Sequence, residues 1–155
     1  MTPIVSLKAV VEEIEVLSDE HHAYLNKHTG ELVTVSNEEI DIVEQGDDIE
    51  DYPGWQQDSI RKTQEVLDSE DYLQLPSKYD IHEYAIMERF CYSVEDEELS
   101  NELLDQIRGS GAFRRFKDAI YRHGITDDWY RFRQTALEEI AVKWLEANNI
   151  TYTTR

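Results

Sequence analysis

From Trp55 onward the apolar residues recur every three or four positions, and only glycine, proline and capping residues interrupt them. That 3.6-residue rhythm confines most of the chain to amphipathic helices. Trp55 to about Leu67 is one such stretch, and the irregular "SEDYLQLPSKY" follows it. Asp80 and Glu83 have the spacing of a capping box ahead of "IHEYAIMERFCYS", where Ile81, Ala85, Met87 or Glu88, and Cys91 wind round the core side. Ser93 is placed to cap "VEDEELSNELLDQIR", whose apolar stripe is Leu99, Leu103, Leu104 and Ile107, with Gly109 suited to the C′ position. Phe113, Phe116 and Ile120 give the next helix a buried face, and Gly124 closes it. Thr126 or Asp127 caps the last and longest helix, in which Trp129, Phe132, Ala136, Ile140 and Trp144 share a face with Leu137 and Ala141.

The N-terminal third reads differently. Residues 5–17 place Val5, Ala9, Val10, Ile14 and Leu17 near helical spacing, although the valine run leaves a strand open. "HHAYLNKHTGELVTVS" is a β-hairpin signal, with Asn26 to Gly30 as its loop and β-branched residues after it. Ser36 and Glu39 make a capping box for a short helix that Gly46 can end. "GDDIEDYPG" is the one linker-like stretch. The expected fold is therefore mainly α (α+β): a compact bundle of about six helices with a small N-terminal β-hairpin. Residues 1–50 hold the first helix, hairpin and short helix, and 51–155 the bundle, as one cooperative domain.

Charge narrows the functions open to this fold. The 155 residues carry a formal −19, and residues 1–107 alone hold 28 carboxylates against 6 cations. Such a field repels nucleic acid and anionic membrane, so direct nucleic-acid binding by the acidic surface is excluded. No apolar run approaches the ~18 residues of a membrane span. "MTPIVSLKAVVEEIEV" interleaves acids with apolar residues and lacks a cleavage segment, so it does not read as a signal peptide. Cys91, the only cysteine, lies in an apolar helical pattern as a buried thiol. A cytoplasmic location is expected.

The segments "YLNKHTGE", "LPSKYDIHEYAIMERF", "SVEDEELSNELLDQIRGSGAFRRFKD" and "DDWYRFRQTALEEIAVKWLEANNI" resemble the bacterial uncharacterised protein family 0158, over about residues 19–150. GAFRRFKD and DDWYRFR are its most specific elements. The resemblance implies no activity and carries over no catalytic or ligand residue.

Against the acidic background, residues 108–133 hold seven cations and three carboxylates. Gly109-Ser110-Gly111 precedes a helix start, where free N–H groups attract anions. Arg114, Arg115, Lys117, Arg122, Arg131 and Arg133, with Trp129 and Tyr130, are the candidate ligand residues: arginine suits phosphate or carboxylate, and a ring stacks on a base. The competing and weightier expectation is structural. Asp118 can pair with Arg115 or Arg122 along the helix, and Glu95, Asp96, Glu97, Glu98, Glu102 and Asp105 offer a neighbouring acidic surface.

Other motifs carry less. His21 and His22, adjacent in a strand, point to opposite faces and do not chelate together; His28 completes no metal set. "HEYAIME" at His82 lacks the second histidine of a zincin, and the acidic runs do not match a calcium loop. No catalytic residue, metal ligand or cofactor is assigned, and nothing argues for an enzyme. Two functions remain. One is a non-catalytic module binding a small anion, such as a nucleotide, through the Arg-aromatic patch; it is placed first. The other is an acidic protein-interaction module with a basic protein partner, in the extreme a nucleic-acid mimic.

Overall fold

The computed structural model describes residues 3–154. It is mainly helical with a small sheet, as the periodicity predicts. Contacts divide the chain into two units: one runs to Ile81 and resumes at Ile140, the other is His82–Glu139.

In the first unit β1 (Val5–Ser6) leads directly into α1 (Leu7–Val16), so the first helix starts two residues later than its apolar spacing. Ser6 caps it, accepting from the Ala9 N–H at 3.2 Å. β2 (His21–Asn26) and β3 (Leu32–Ser36) form the expected hairpin, with His21 opposite Ser36 and Leu25 opposite Leu32. Alternation puts Ala23 and Leu25 in the core. The Asn26 side chain accepts from the His28 and Thr29 N–H groups, and Gly30 takes φ 78°, a left-handed turn that glycine adopts without strain.

The "irregular" stretch contributes a third strand. β4 (Tyr72–Gln74) pairs antiparallel with β2, Tyr24 opposite Gln74, giving the order β3-β2-β4. A polar clamp holds it: Lys62 donates to Glu31 at 2.9 Å and to the Tyr72 hydroxyl at 3.1 Å, and that hydroxyl donates to Glu31 at 2.8 Å. Ser36 and Glu39 form the predicted capping box of α2 (Asn37–Gln45), and Gly46 ends it at φ 72°. Such caps are each worth about 1 kcal/mol. A short 3-10 turn (Ile49–Asp51) leads to α3 (Gly54–Asp68). β5 (Tyr152–Thr153) pairs parallel with β1, Val5 opposite Tyr152. Val10, Ile14, Leu25, Ile60, Leu75 and Leu145 are fully buried, each contributing roughly 1.5–3 kcal/mol.

Before the second unit, the Asp80–Glu83 box is replaced by one three residues earlier. The Ser77 N–H donates to Asp80 and the Asp80 N–H to Ser77 Oγ, which starts the one-turn α4 (Lys78–Ile81). His82 then turns left-handed at φ 55° and α5 (Glu83–Ser93) begins without a side-chain cap. Ile86, Met87, Phe90 and Cys91 form its buried face, while Ala85 and Glu88 are exposed. Ser93 does not cap α6 (Glu97–Gln106); its hydroxyl bonds back to the Phe90 carbonyl, and Asp96 caps instead, accepting from the N–H groups of Glu98 and Leu99.

In α7 (Ala112–Arg122) the buried face is Ala112, Phe116, Ala119 and Ile120. Phe113 lies at the edge of that face, about 20° beyond Ile120, and is 43% exposed. Thr126 is already helical in α8 (Thr126–Ala147), since the Trp129 N–H reaches the Ile125 carbonyl at 3.1 Å. Phe90, Phe116, Trp129 and Phe132 make an edge-to-face cluster with centroids 4.9–6.0 Å apart. Each such pair adds about 0.5–1.5 kcal/mol beyond burial.

Candidate functional site

The structure splits the arginine-rich segment into engaged and unengaged cations. Gly109 and Gly111 take φ 74° and 78°, folding the chain sharply between α6 and α7. Arg115 reaches back over that turn: Nε donates to the Gln106 carbonyl at 2.9 Å, Nη1 to Ser110 at 2.5 Å, and Nη2 to Arg108. The Gln106 carbonyl belongs to the last turn of α6, where a helix lacks internal partners, and the other two belong to the turn that follows it. A Cβ on Gly111 would stand 3.1 Å from Nη1, so the glycine makes room for the guanidinium. Arg115 thus closes a helix C-terminus, and its planar fork suits that task better than an ammonium.

Three more cations are held by carboxylates. Arg108 pairs with Asp105 at 3.7 Å, Arg131 with Asp128, and Arg133 with Glu83 at 2.5 Å. Of the α6 carboxylates expected to receive the arginines, Asp105 meets Arg108 and Glu102 meets His123 at 3.0 Å. Trp129 is only 3% exposed and its ring is packed against Phe90 and Phe116, leaving no face for a stacked ligand.

Arg114, Lys117 and Arg122 are what remain. All three are exposed on α7, and none has a carboxylate within ion-pair distance among the described residues. Helical spacing puts Arg114, Lys117 and Tyr121 on the side opposite the buried face, with Phe113 and Arg122 at its edges. Tyr121 is 79% exposed. A hollow of about 370 Å³ lies beside it, lined by Gln106, Arg115, Asp118, Tyr121 and Arg122. Asp118, flanked by Arg114 and Arg122 at i ± 4, pairs with neither. Tyr130 is exposed on α8. The eight candidate residues therefore form no single converging pocket.

An acidic site in the first unit was only partly foreseen. Between Glu38 and Asp51, α2, the 3-10 turn and the link between them carry Glu38, Glu39, Asp41, Glu44, Asp47, Asp48, Glu50 and Asp51, and among the described residues none is in an ion pair. Several have local duties. Glu39 completes the capping box and accepts from Ser59; burial pushes its carboxyl up, but the bonds from Ser59 and Ser36 prevail and hold it below the usual range. Asp48 caps the 3-10 turn and Asp47 accepts from the Tyr52 hydroxyl at 3.0 Å. Glu38, Asp41 and Asp47 line a hollow of about 670 Å³ with His21 and Tyr52. Trp55, at the start of α3, is 79% exposed. Its place among helical apolar residues gave no sign of that.

The histidines are dispersed. His21 bonds Ser18, His22 bonds Asn37 and Gln74, and His28 bonds Asp71. Among the described residues no three His, Cys, Asp or Glu side chains are grouped to hold a metal. Cys91 is buried, and burial pushes its thiol up to about 11. Among the described residues no helix is long and apolar enough to cross a membrane.

Fold and site thus define a mainly helical protein with a small sheet, a strongly acidic sequence and three cations on α7 that have no carboxylate partner among the described residues. A model of the Uncharacterised protein family (UPF0158) matches residues 1–155, and the chain belongs to that family. It is similar to UPF0158 protein PA5073 of Pseudomonas aeruginosa, 30% identical over 67 residues, which span 43% of this chain and 44% of that protein. The match thus covers less than half of that relative's length. No solved structure matches the chain.

Proposed function

We propose that this is a non-catalytic interaction protein whose acidic surface engages a basic partner. The observation that carries the reading is the unpaired set of eight carboxylates from Glu38 to Asp51, beside the exposed Trp55. Unpaired like charges on adjoining elements repel one another, and a cationic partner relieves that repulsion while an exposed tryptophan supplies a contact of the kind that dominates interfaces. The test is binding of a fluorescein-labelled peptide of alternating arginine and glycine, followed by anisotropy at roughly 50 and 300 mM salt. Affinity is expected to fall steeply with salt, and Glu38→Lys/Asp41→Lys to weaken it about tenfold. Binding indifferent to salt and to that double substitution would sink the reading.

A second reading is favoured by the three unpaired cations of α7. A small ring-bearing anion of the nucleotide kind would lay its phosphate between Arg114 and Lys117 and its ring near Tyr121. Thermal unfolding with inorganic pyrophosphate and with nucleotides tests it: ligand at about 100 times its Kd adds roughly 2.7 kcal/mol. A shift lost in Arg114→Ala/Lys117→Ala supports a site, and a flat panel removes it.

A further inference from the structure

A hollow of about 470 Å³ lies in the second unit, where the end of α5 and the link to α6 face the first turns of α8. Phe90 and Phe132 are among the apolar residues lining it, and Glu95, Asp128, Arg131 and Thr135 among the polar ones. The polar set is not neutral to an incoming charge. Arg131 is already held by Asp128, whereas Glu95 has no hydrogen bond or ion pair among the described residues. Beyond Glu95 come Asp96, Glu97 and Glu98 at the start of α6. One wall of the hollow therefore leads into four successive carboxylates, and the aromatic lining offers no donor of its own.

That combination suits one kind of side chain. A long methylene stem packs on aromatic and aliphatic surface while its charged head stays among carboxylates in water. Within this unit one arginine already packs on an aromatic ring in this way: the Arg89 guanidinium sits 5.9 Å from the Phe132 ring centroid. We infer that the hollow is an anchor site for an arginine side chain from a basic segment of a partner protein, its stem against Val94, Ile125 and Phe132 and its guanidinium at Glu95. This rests on the proposed engagement of a basic partner and adds a second contact point to it.

Three substitutions in the full chain test the inference with the same arginine–glycine peptide. Thr135→Trp fills the hollow without altering charge, at an exposed position where the fold tolerates it. Glu95→Lys reverses the charge at the hollow, and Glu12→Lys makes the same change on an exposed carboxylate of α1 outside both acidic sites. Thr135→Trp and Glu95→Lys are each expected to weaken binding about tenfold, and Glu12→Lys less than about twofold. If Thr135→Trp binds like the unaltered protein, or Glu12→Lys weakens binding as much as Glu95→Lys, the anchor site is wrong. Binding that responds to Glu38→Lys/Asp41→Lys but not to Thr135→Trp removes the hollow and leaves the acidic reading standing. Absence of salt-dependent binding removes both.

Discussion

Arg133 on α8 binds Glu83 at the start of α5, Nε to Oε1 at 2.5 Å, with both side chains largely shielded from water. The pair lies 50 residues apart in sequence and holds together two helices of the second unit. Removing one partner leaves the other charge shielded and uncompensated, which for fully buried pairs costs roughly 3–5 kcal/mol. Arg133→Ala is expected to cost about 2 kcal/mol in urea unfolding, because some water still reaches the pair. A loss within about 0.5 kcal/mol, ordinary for a surface residue, would mean that the pair contributes little.

Adjacent arginines on α7 should behave very differently. Arg115→Ala removes three bonds to the carbonyls of Gln106, Arg108 and Ser110 and is expected to lower stability by about 2–3 kcal/mol. Arg114→Ala, which removes no hydrogen bond or ion pair among the described residues, should stay within about 0.5 kcal/mol. Thermal melts of the two variants side by side decide it, and equal effects would refute the distinction.

Cys91 should be chemically silent in the folded protein. Burial raises its thiol to about 11, so at pH 8 little thiolate forms, and the sulfur is inaccessible as well. Labelling by a disulfide reagent should then follow global unfolding and accelerate with urea. Rapid native-state labelling would place the thiol in reach of solvent.

The Glu31–Lys62–Tyr72 clamp predicts a pH signature. The bond from Lys62, and then that from Tyr72, holds the Glu31 carboxyl below its ordinary value; the bond to Glu31 raises Lys62. The Glu31 contribution is present above the unfolded carboxyl value of about 4.3 and disappears as pH falls through its lower folded value. The Lys62 contribution is present below about 10.4 and disappears as pH rises through its higher folded value. Both side chains are partly exposed, so Glu31→Gln should cost no more than about 1 kcal/mol at pH 7, and progressively less in acid. Urea midpoints across pH show whether the gap between the two proteins closes.

Local signals in the sequence were reliable where only one local arrangement satisfied them. Ser36 and Glu39 read as a capping box and form one, with Gly46 ending the helix. Asp80 and Glu83 have the same spacing, yet Ser77 and Asp80 have it too, and overlapping boxes compete for Asp80. β4 is three residues long and its partner strand lies some fifty residues away, so no periodicity marks it. For the candidate site, the helical pattern already placed Trp129 with the core residues of α8, and packing against Phe90 and Phe116 keeps it there. That Arg115 bonds backbone carbonyls while Arg114 makes no such bond is invisible in sequence, because it depends on the path of the Gly109–Gly111 turn.

The pairing of Val5 with Tyr152 has a consequence for the order in which the chain acquires its structure. A ribosome delivers β5 roughly 150 residues after β1, so the earlier strand must wait long for its partner. The hairpin and helices of local sequence can form meanwhile, whereas closing so long a loop comes late and slowly. A nascent chain truncated before Thr151 would carry β1 with its partner edge open, the form of this protein most exposed to wrong pairing.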